Sequence, residues 1–315
     1  MQASPPSADC VIAVDLGASW VRAAQVSPNG RIFSRIAAPT PRNGDSGGVV
    51  AAEVSRLIGM LQQGGDTVPC RAIGISAAGP LDVAGGAVVS PPNMPFARID
   101  LAGPLSRRHA VPVVLLNDCR AGMLAERWLG AARGVDNAVY ITFSTGIGGG
   151  ALVNGTLCTG KNGNAGEIGH LFVDSRYGLI CGCGGEGHWE AYASGTGIPR
   201  FFERWCAMEG IAKGALPATA AEVFAAAGRD PETAAFFEEL GKINARGILG
   251  VVVAYEPALI ILDGPVIRNH AAPVIEPLRR HYEAYLPLPC IALSPLCGDA
   301  PLLGAAAYAL ERSRH

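Results

Sequence analysis

Short apolar runs, each ending at a turn, dominate the first part of the chain. Apolar and β-branched residues that lack helical spacing are typical of strands buried in a sheet. Such runs occupy residues 9–14, 21–27, 31–39, 71–79 and 111–118. Because only turn signals separate the first three runs, we expect an antiparallel meander with Asp15 at its first turn. Residues 49–61 place apolar side chains at helical spacing instead, and predict a helix that ends at Gly64-Gly65.

The rest of the chain continues this alternation of strands and helices. Residues 138–152 predict a strand, a glycine loop and a second strand. Further strands are expected at 258–264 and 291–296, and helices at 196–208, 219–227, 231–254 and 300–315.

A strand that ends at an acidic residue occurs three times, at Asp15, Asp118 and Asp263. Ligands of open α/β sheets bind at the carboxyl ends of the strands. We therefore predict an α/β protein with two lobes and an interlobe cleft at the strand ends. The N-terminal lobe would comprise residues 1–118, completed by the helix at 300–315, and the C-terminal lobe residues 119–299.

The composition limits the partners and the compartment. The 315 residues carry a formal net charge of −2, and a chain without a basic excess has little to neutralise nucleic-acid phosphates. No apolar run is long enough to span a bilayer, and the opening residues MQASPPSADC lack the basic and apolar regions of a signal peptide. Nine cysteines, mostly scattered, suit reduced thiols better than a disulfide framework. We therefore expect a cytoplasmic protein that binds neither nucleic acid nor membranes.

Residues 166–190 concentrate polar chemistry in one stretch. The spacing H-x10-C-x-C-x4-H is formed by His170, Cys181, Cys183 and His188. Zinc prefers four tetrahedral thiolate and imidazole ligands, and a closed set of four is structural rather than catalytic. Glycines within 182–187 let the backbone fold tightly enough for the ligands to converge. The alternative interpretation is that the stretch contains two buried thiols and two unrelated histidines. A zinc site would in addition fix the carboxylates of Glu167 and Glu190 beside it.

Two glycine-rich loops follow strands in the two predicted lobes. They read DLGAS at residues 15–19 and STGIGGG at residues 144–150. Small residues and hydroxyls there allow backbone N–H groups to approach phosphate oxygens. Neither loop is a Walker P-loop, and neither opens a helix in the manner of a dinucleotide site. Ordinary turns would explain one loop alone, but two loops on strand ends in different lobes favour a clamped polyphosphate.

Asp118 and Asp15 have structural explanations beside the catalytic ones. Asp118 directly precedes a predicted helix, where Asp is a favoured N-cap. It is also the candidate base for phosphoryl transfer, because a loose transition state lets the base accept the proton late. Asp15 is either a turn residue or a carboxylate that faces a phosphate loop through a magnesium ion.

Together these segments resemble the ROK family of sugar kinases, within the actin-like (ribonuclease H-like) ATPase superfold, almost from end to end. DLGAS and STGIGGG resemble the two phosphate loops of that family. PPN at 91–93 resembles its sugar-contacting loop, and LND at 116–118 its catalytic segment. GEIGH at 166–170 and CGCGGEGHWE at 181–190 resemble its sugar-and-zinc signature. The resemblance implies an ATP-dependent hexose kinase and, within that class, a glucokinase acting on the 6-hydroxyl.

The resemblance also implies a role for each matching residue. Asp118 would deprotonate the sugar hydroxyl, with Mg²⁺-ATP as the phosphate donor. The sugar would be held by Asn93, Asn117, Asp118, Glu167, His170 and Glu190. The nucleotide and its magnesium would be bordered by Asp15, Gly17, Ser19, Thr145, Gly146 and Gly264. Structural zinc would be bound by His170, Cys181, Cys183 and His188, with His170 facing the sugar through its other ring nitrogen.

Two positions depart from the family pattern. The family usually has a third cysteine where this chain has His188, and imidazole can replace thiolate at zinc. The first loop usually reads Gly-Thr-Lys where this chain has Ala18-Ser19-Trp20. That change adds a methyl group near the phosphate and removes a lysine, but keeps a hydroxyl.

Several alternatives stay open at the level of sequence. An N-acetylmannosamine kinase or a broad hexokinase would share the polar residues around the sugar. A non-catalytic sugar-binding relative would need neither Asp118 nor both glycine loops. A sugar-responsive repressor would need an N-terminal helix-turn-helix, for which the first predicted strand leaves no room. The phosphate donor is ATP, ADP or polyphosphate, and a closed homodimer is the expected assembly.

Overall fold

A computed structural model describes residues 10–63, 69–212, 216–226, 231–283 and 285–313. The helix end predicted at Gly64-Gly65 lies outside these residues, as do Asp9, residue 227 and residues 314–315. The chain forms two compact units. The first contains residues 1–134, 157–165 and 299–315, and the second contains residues 135–156 and 166–298. Within the described residues, no helix is both long and apolar enough to cross a membrane.

The first unit is built on a five-stranded sheet. Its strands in chain order are β1 (Cys10–Leu16), β2 (Trp20–Val26), β3 (Ile32–Pro39), β4 (Cys70–Ala77), β5 (Leu81–Asp82), β6 (Ala87–Val89), β7 (Arg98–Asp100) and β8 (Val113–Asn117). The main sheet has the order β3-β2-β1-β4-β8, and β5, β6 and β7 form a small separate sheet. β1, β2 and β3 pair antiparallel, which confirms the predicted meander, whereas β4 and β8 extend the sheet in parallel from β1.

Helices cover both faces of this sheet. They are α1 (Gly48–Gln63), α2 (Ala102–His109), α3 (Asp118–Trp128) and, from the end of the chain, α9 (Ala300–Arg312). Ile73 and Ile75 of β4 join the apolar core formed with α1. Gly74 points to the opposite face, because strand side chains alternate. A Cβ at Gly74 would lie 2.0 Å from the carbonyl oxygen of Ala305, so glycine lets α9 approach the strand closely.

Helix α3 belongs to the first unit in the structure, whereas the sequence limits of 1–118 and 119–299 would assign it to the second. The reason is its packing against α9. A Cβ at Gly304 of α9 would lie 1.7 Å from the carbonyl oxygen of Ala121, so the two helix backbones touch there. The division into domains at residue 118 stays a prediction.

The second unit repeats the strand order of the first. Its sheet contains β9 (Ala138–Phe143), β10 (Ile147–Val153), β11 (Thr156–Leu157), β12 (Leu259–Asp263) and β13 (Cys290–Leu293). The order is β11-β10-β9-β12-β13, with β9 and β10 antiparallel and β12 and β13 parallel to β9. Two units with this order and these orientations constitute the predicted ribonuclease H-like α/β architecture.

The helices of the second unit anchor the segment that carries the candidate metal ligands. They are α4 (Glu190–Ala193), α5 (Gly197–Glu209), α6 (Ala220–Ala225), α7 (Pro231–Tyr255) and α8 (Pro265–His281). Trp189, just before α4, is fully buried, and its indole Nε1 donates to Asn244 Oδ1 of α7 at 2.9 Å. A Cβ at Gly247 would lie 2.3 Å from the Trp189 ring, so α7 uses glycine to make room for the indole.

Candidate functional site

Two candidate segments, the turn after β1 and the start of α3, lie at the same end of the strands of the first sheet. Leu16 at the end of β1 pairs with Ala77 of β4, and Ala77 pairs with Asn117 at the end of β8. Adjacent strands lie about 4.8 Å apart, so the turn after β1 and the start of α3 are about 10 Å apart along this edge. The parallel strand ends therefore place Asp15 and Asp118 on the same side of the first unit.

Asp15 is buried and has strong partners. Arg22 donates from Nε (3.0 Å) and Nη2 (2.6 Å) to Asp15 Oδ2, and the Ser76 hydroxyl donates to Oδ1 at 2.8 Å. The arginine pair follows from the hairpin register, in which Asp15 lies opposite Arg22. These three hydrogen bonds fix the orientation of the carboxylate at the strand end. A magnesium ion beside it would therefore meet Asp15 through water more readily than by direct ligation.

The first glycine loop is a tight turn between β1 and β2. Gly17 N–H donates to the carbonyl of Trp20 at 3.0 Å, and a Cβ at Gly17 would lie 3.2 Å from that oxygen. Thr40 fixes the turn from the side, because its hydroxyl donates to Gly17 O (2.7 Å) and its N–H to Ser19 O (2.9 Å). The turn that carries Ala18 and Ser19 is thus held by backbone bonds that these two side chains do not supply.

Asn93 lies on an exposed loop that Arg42 links to this turn by hydrogen bonds. The loop is closed by Ser90 N–H, which donates to Ala97 O at 2.7 Å. Arg42 Nη1 donates both to Ala18 O (3.3 Å) and to Asn93 O (3.1 Å). Sequence reasoning missed Arg42, and nothing in its spacing marks it, because it acts through backbone carbonyls of two distant segments.

The N-cap of helix α3 is Asn117 rather than Asp118. Asn117 Oδ1 accepts from the N–H groups of Cys119 (2.9 Å) and Arg120 (3.3 Å), and Asn117 has the extended backbone of an N-cap. Asp118 is the first helical residue, and its Oδ1 accepts from Cys119 N at 2.8 Å. The structural explanation for Asp118 as the cap is therefore wrong, since its neighbour already performs that role.

The second glycine loop is the corresponding hairpin turn of the second sheet, between β9 and β10. Ser144 N–H donates to Gly146 O at 2.9 Å and closes the turn. Gly264 lies beside it at the end of β12, with φ +96°, and a Cβ there would lie 2.2 Å from Phe143 O. Only glycine fits at this position, because any side chain would collide with the backbone of Phe143. Thr145, Gly146 and Gly264 therefore lie together at the same end of β9 and β12.

Glu190 lies directly against this second loop. Its Oε2 accepts from Ile147 N at 2.9 Å, and a Cβ on Gly146 would lie only 2.2 Å from the same oxygen. Its Oε1 lies 3.7 Å from Cys181 Sγ. The carboxylate thus touches both the loop and one of the candidate metal ligands.

The structure brings the four predicted zinc ligands together. One ligand atom from each of His170, Cys181, Cys183 and His188 lies within 4.8 Å of all the others. A tetrahedral zinc site with these ligands has ligand–ligand separations of about 3.3–3.8 Å, so small side-chain movements suffice to bind the ion. Burial raises the pKa of the Cys181 thiol to about 11, which makes its thiolate costly without a nearby cation. Two thiols and two imidazoles are a donor set that suits zinc.

Glycines let the metal-ligand segment fold on itself and on β10. A Cβ at Gly185 would lie 2.3 Å from the His188 ring, and a Cβ at Gly169 would lie 2.1 Å from Ile147 O. The turn Ile168–His170 follows Glu167, whose Oε2 lies 3.8 Å from His170 Nδ1. His170 therefore has one nitrogen near a carboxylate while its ring belongs to the ligand cluster.

Curated relatives match almost the whole chain. A glucokinase of Pyrobaculum calidifontis is 35% identical over 303 residues, covering 95% of each chain. An N-acetylmannosamine kinase of Haemophilus influenzae is 32% identical over 300 residues, covering 94% of this chain and 93% of its own.

Solved structures share the fold over the same length. A ROK hexokinase from Thermus thermophilus superposes with a TM-score of 0.80 at 32% identity, covering 97% of this chain and 99% of that one. A ROK family glucokinase from Streptomyces griseus, solved with glucose and AMPPNP, gives 0.78 at 29% identity, covering 96% and 99%. The model of the ROK family matches residues 11–312. With a glycine-rich hairpin turn in the sheet of each unit and these matches along its length, the chain belongs to the ROK family.

Proposed function

We propose that the protein is an ATP-dependent hexose kinase that phosphorylates the 6-hydroxyl of glucose. The observation that carries the proposal is the position of Asp118, whose carboxylate lies at a strand edge while Asn117 caps the helix. Phosphoryl transfer needs a carboxylate at such a position to orient the attacking hydroxyl. The glucokinase and hexokinase relatives support the choice of reaction and substrate.

Asp118 would act as the base. The sugar 6-oxygen attacks the γ-phosphorus, its proton passes to the Asp118 carboxylate, and the bond to the β,γ-bridging oxygen breaks to release ADP. Cys119 N–H holds the carboxylate in one orientation, and helix α3 starts at this residue. The positive end of the helix dipole interacts favourably with a carboxylate at this position, which suits a group that accepts the proton late.

The two hairpin turns would bind the phosphates. Backbone N–H groups after Gly17 in the first turn, such as that of Ser19, and those of Thr145 and Gly146 in the second would supply donors without bulky side chains. Bound magnesium would neutralise charge developing on the β- and γ-phosphates. Asp15 would orient water molecules of that ion from its position beside the first turn.

Asn93, Asn117, Glu167, His170 and Glu190 would hold the remaining sugar hydroxyls. Asn117 uses its carbonyl oxygen for the cap, so its amide nitrogen is the group that can donate to the sugar. Structural zinc would be held by His170, Cys181, Cys183 and His188. Binding through one ring nitrogen would fix the orientation of the His170 imidazole and leave its other nitrogen for a hydrogen bond to the sugar.

N-acetylmannosamine is the alternative substrate, supported by the kinase relative of that specificity. A cytoplasmic location and a homodimer complete the proposal. The nine cysteines are scattered along the chain apart from the Cys181/Cys183 pair, a distribution that suits a reducing compartment better than a disulfide framework.

A coupled assay that links ADP release to NADH oxidation tests the proposal. Purified protein with Mg²⁺-ATP should phosphorylate glucose with a higher kcat/KM than mannose, fructose, allose or N-acetylmannosamine. Asp118→Asn should lower kcat by about 10²–10⁴, and the matched variant of the exposed Asp100, Asp100→Asn, should retain the activity. Turnover of N-acetylmannosamine above glucose would select the alternative, and no turnover of any sugar would refute a hexose kinase.

A further inference from the structure

The second phosphate loop is held by the residues that follow the metal-ligand cluster. Three polar backbone groups of the loop are bonded to a segment only a few residues beyond His188. The bonds are Ile147 N–H to Glu190 Oε2 (2.9 Å), Gly195 N–H to Ser144 O (2.7 Å) and Thr196 Oγ1 to Thr145 O (2.8 Å). The segment 190–196 is therefore a clamp on the loop.

Glu190 is the member of the clamp that also touches the cluster. Oε2 holds Ile147 N–H and leaves no room for a side chain at position 146, while Oε1 lies 3.7 Å from Cys181 Sγ. In the chain, Glu190 follows the ligand His188 after one residue. Movement of the cluster would therefore reach the loop both through the backbone and through the carboxylate.

Trp189 offers a competing anchor. Its indole is fully buried, and its backbone N–H donates to Leu171 O at 2.9 Å. If the indole alone fixed Glu190, loss of a metal ligand would not affect the loop. If the cluster also fixes Glu190, loss of a metal ligand should weaken nucleotide binding.

We propose that Glu190 is a positioning residue that ties the second phosphate loop to the metal-ligand cluster, so that nucleotide affinity depends on an intact cluster. This inference rests on the proposed function, because it takes the loop as a phosphate site. A carboxylate bonded to a backbone N–H forms one of the stronger hydrogen bonds in proteins, and without it the turn loses its fixed orientation. A phosphate site made of backbone donors loses affinity when those donors are no longer preorganised.

The test uses AMPPNP with Mg²⁺ and no sugar, so that any role of Glu190 in sugar binding does not enter. Calorimetric titration measures AMPPNP affinity, hydrogen exchange measures protection of the peptide covering 144–150, and elemental analysis measures zinc. Glu190→Ala should weaken AMPPNP binding about tenfold and speed exchange of that peptide, whereas Glu190→Gln, which keeps an acceptor for Ile147 N–H, should change affinity less than about threefold.

Cys183→Ala removes a cluster ligand that contacts His188 (3.2 Å) and serves to test the metal half of the proposal. It should lose zinc, weaken AMPPNP binding by a similar factor and speed exchange of the 144–150 peptide. The double variant with Glu190→Ala should be no weaker than either single variant, because both act through one link. Cys290→Ala, at an exposed cysteine on β13, is the matched control and should change none of these values.

The outcomes separate the inference from the proposed function. If the enzyme phosphorylates glucose but exchange and AMPPNP affinity are unchanged in Glu190→Ala or in Cys183→Ala, the inference is overturned and the proposed function stands. If the wild-type protein has no kinase activity, the proposed function is overturned. The exchange measurement, which needs no ligand, then still decides whether Glu190 and the cluster hold the loop.

Discussion

Substitutions at two adjacent residues at the start of α3, Asn117 and Asp118, should have separate effects on stability and on catalysis. Asn117→Ala removes a buried N-cap that accepts from two backbone N–H groups, at 2.9 and 3.3 Å. Loss of such a cap costs about 0.5–2 kcal/mol, and the burial of Asn117 favours the upper end. For a domain of 150–250 residues, about 2 kcal/mol lowers Tm by about 4–8 °C.

Asp118→Asn should have the opposite profile. Its amide oxygen can still accept from Cys119 N–H, so we expect a change in Tm of no more than about 2 °C, as for substitutions within ±0.5 kcal/mol. Without a group that accepts the proton, kcat should fall by about 10²–10⁴. Sugar should still bind.

Scanning calorimetry and the coupled assay on both variants test this separation, with Asp100→Asn as the control for a lost carboxylate. An equal loss of Tm in the two variants, with kcat retained in Asp118→Asn, would show that Asp118 stabilises the helix and has no part in catalysis. An unchanged Tm in Asn117→Ala would refute the assignment of the cap.

Three further predictions test other parts of the structure. Elemental analysis should find about one zinc ion per chain, the number for a closed four-ligand site, and His188→Ala should lose most of it while His188→Cys keeps it; native protein without zinc would refute the site. Gly304→Val should destabilise the protein by about 3 kcal/mol or more, because even a Cβ would lie 1.7 Å from Ala121 O, and an unchanged Tm would contradict this helix contact. Arg42→Ala should raise KM for glucose or ATP several-fold without changing Tm, since this exposed side chain links the two loops through their carbonyls; unchanged KM values would remove Arg42 from the site.

Hydrophobic periodicity was sufficient to predict most strands and long helices, but it failed where tertiary packing overrides the local sequence signals. Helix α8 contains Pro273 and Pro277, which argue against a helix in sequence, and the structure has a kink at His270, three residues before Pro273. The strands β5, β6 and β7 have only two or three residues each, too few for any period to be visible.

The chemical residues were predicted by motif, whereas their partners were not. Arg22 could have been found, because a hairpin turning at 17–20 places it opposite Asp15. The contact of Glu190 with Ile147 had no such signal, since it joins segments far apart in the chain through a backbone N–H. The backbone N–H that donates to Glu190 is present whatever side chain residue 147 carries, so such a bond leaves little trace in a sequence.

Helix α9 has a consequence for how the protein is made. It covers one face of the first sheet, yet it follows the entire second unit in the chain. Domains usually fold from the N-terminus onward as they leave the ribosome. Here the face of β1 and β4 that packs against α9 stays uncovered until this last helix is synthesised. The second unit can therefore complete its core before the first. A chain stalled before Ala300 would keep that apolar face exposed, and would be a target for chaperones and for aggregation.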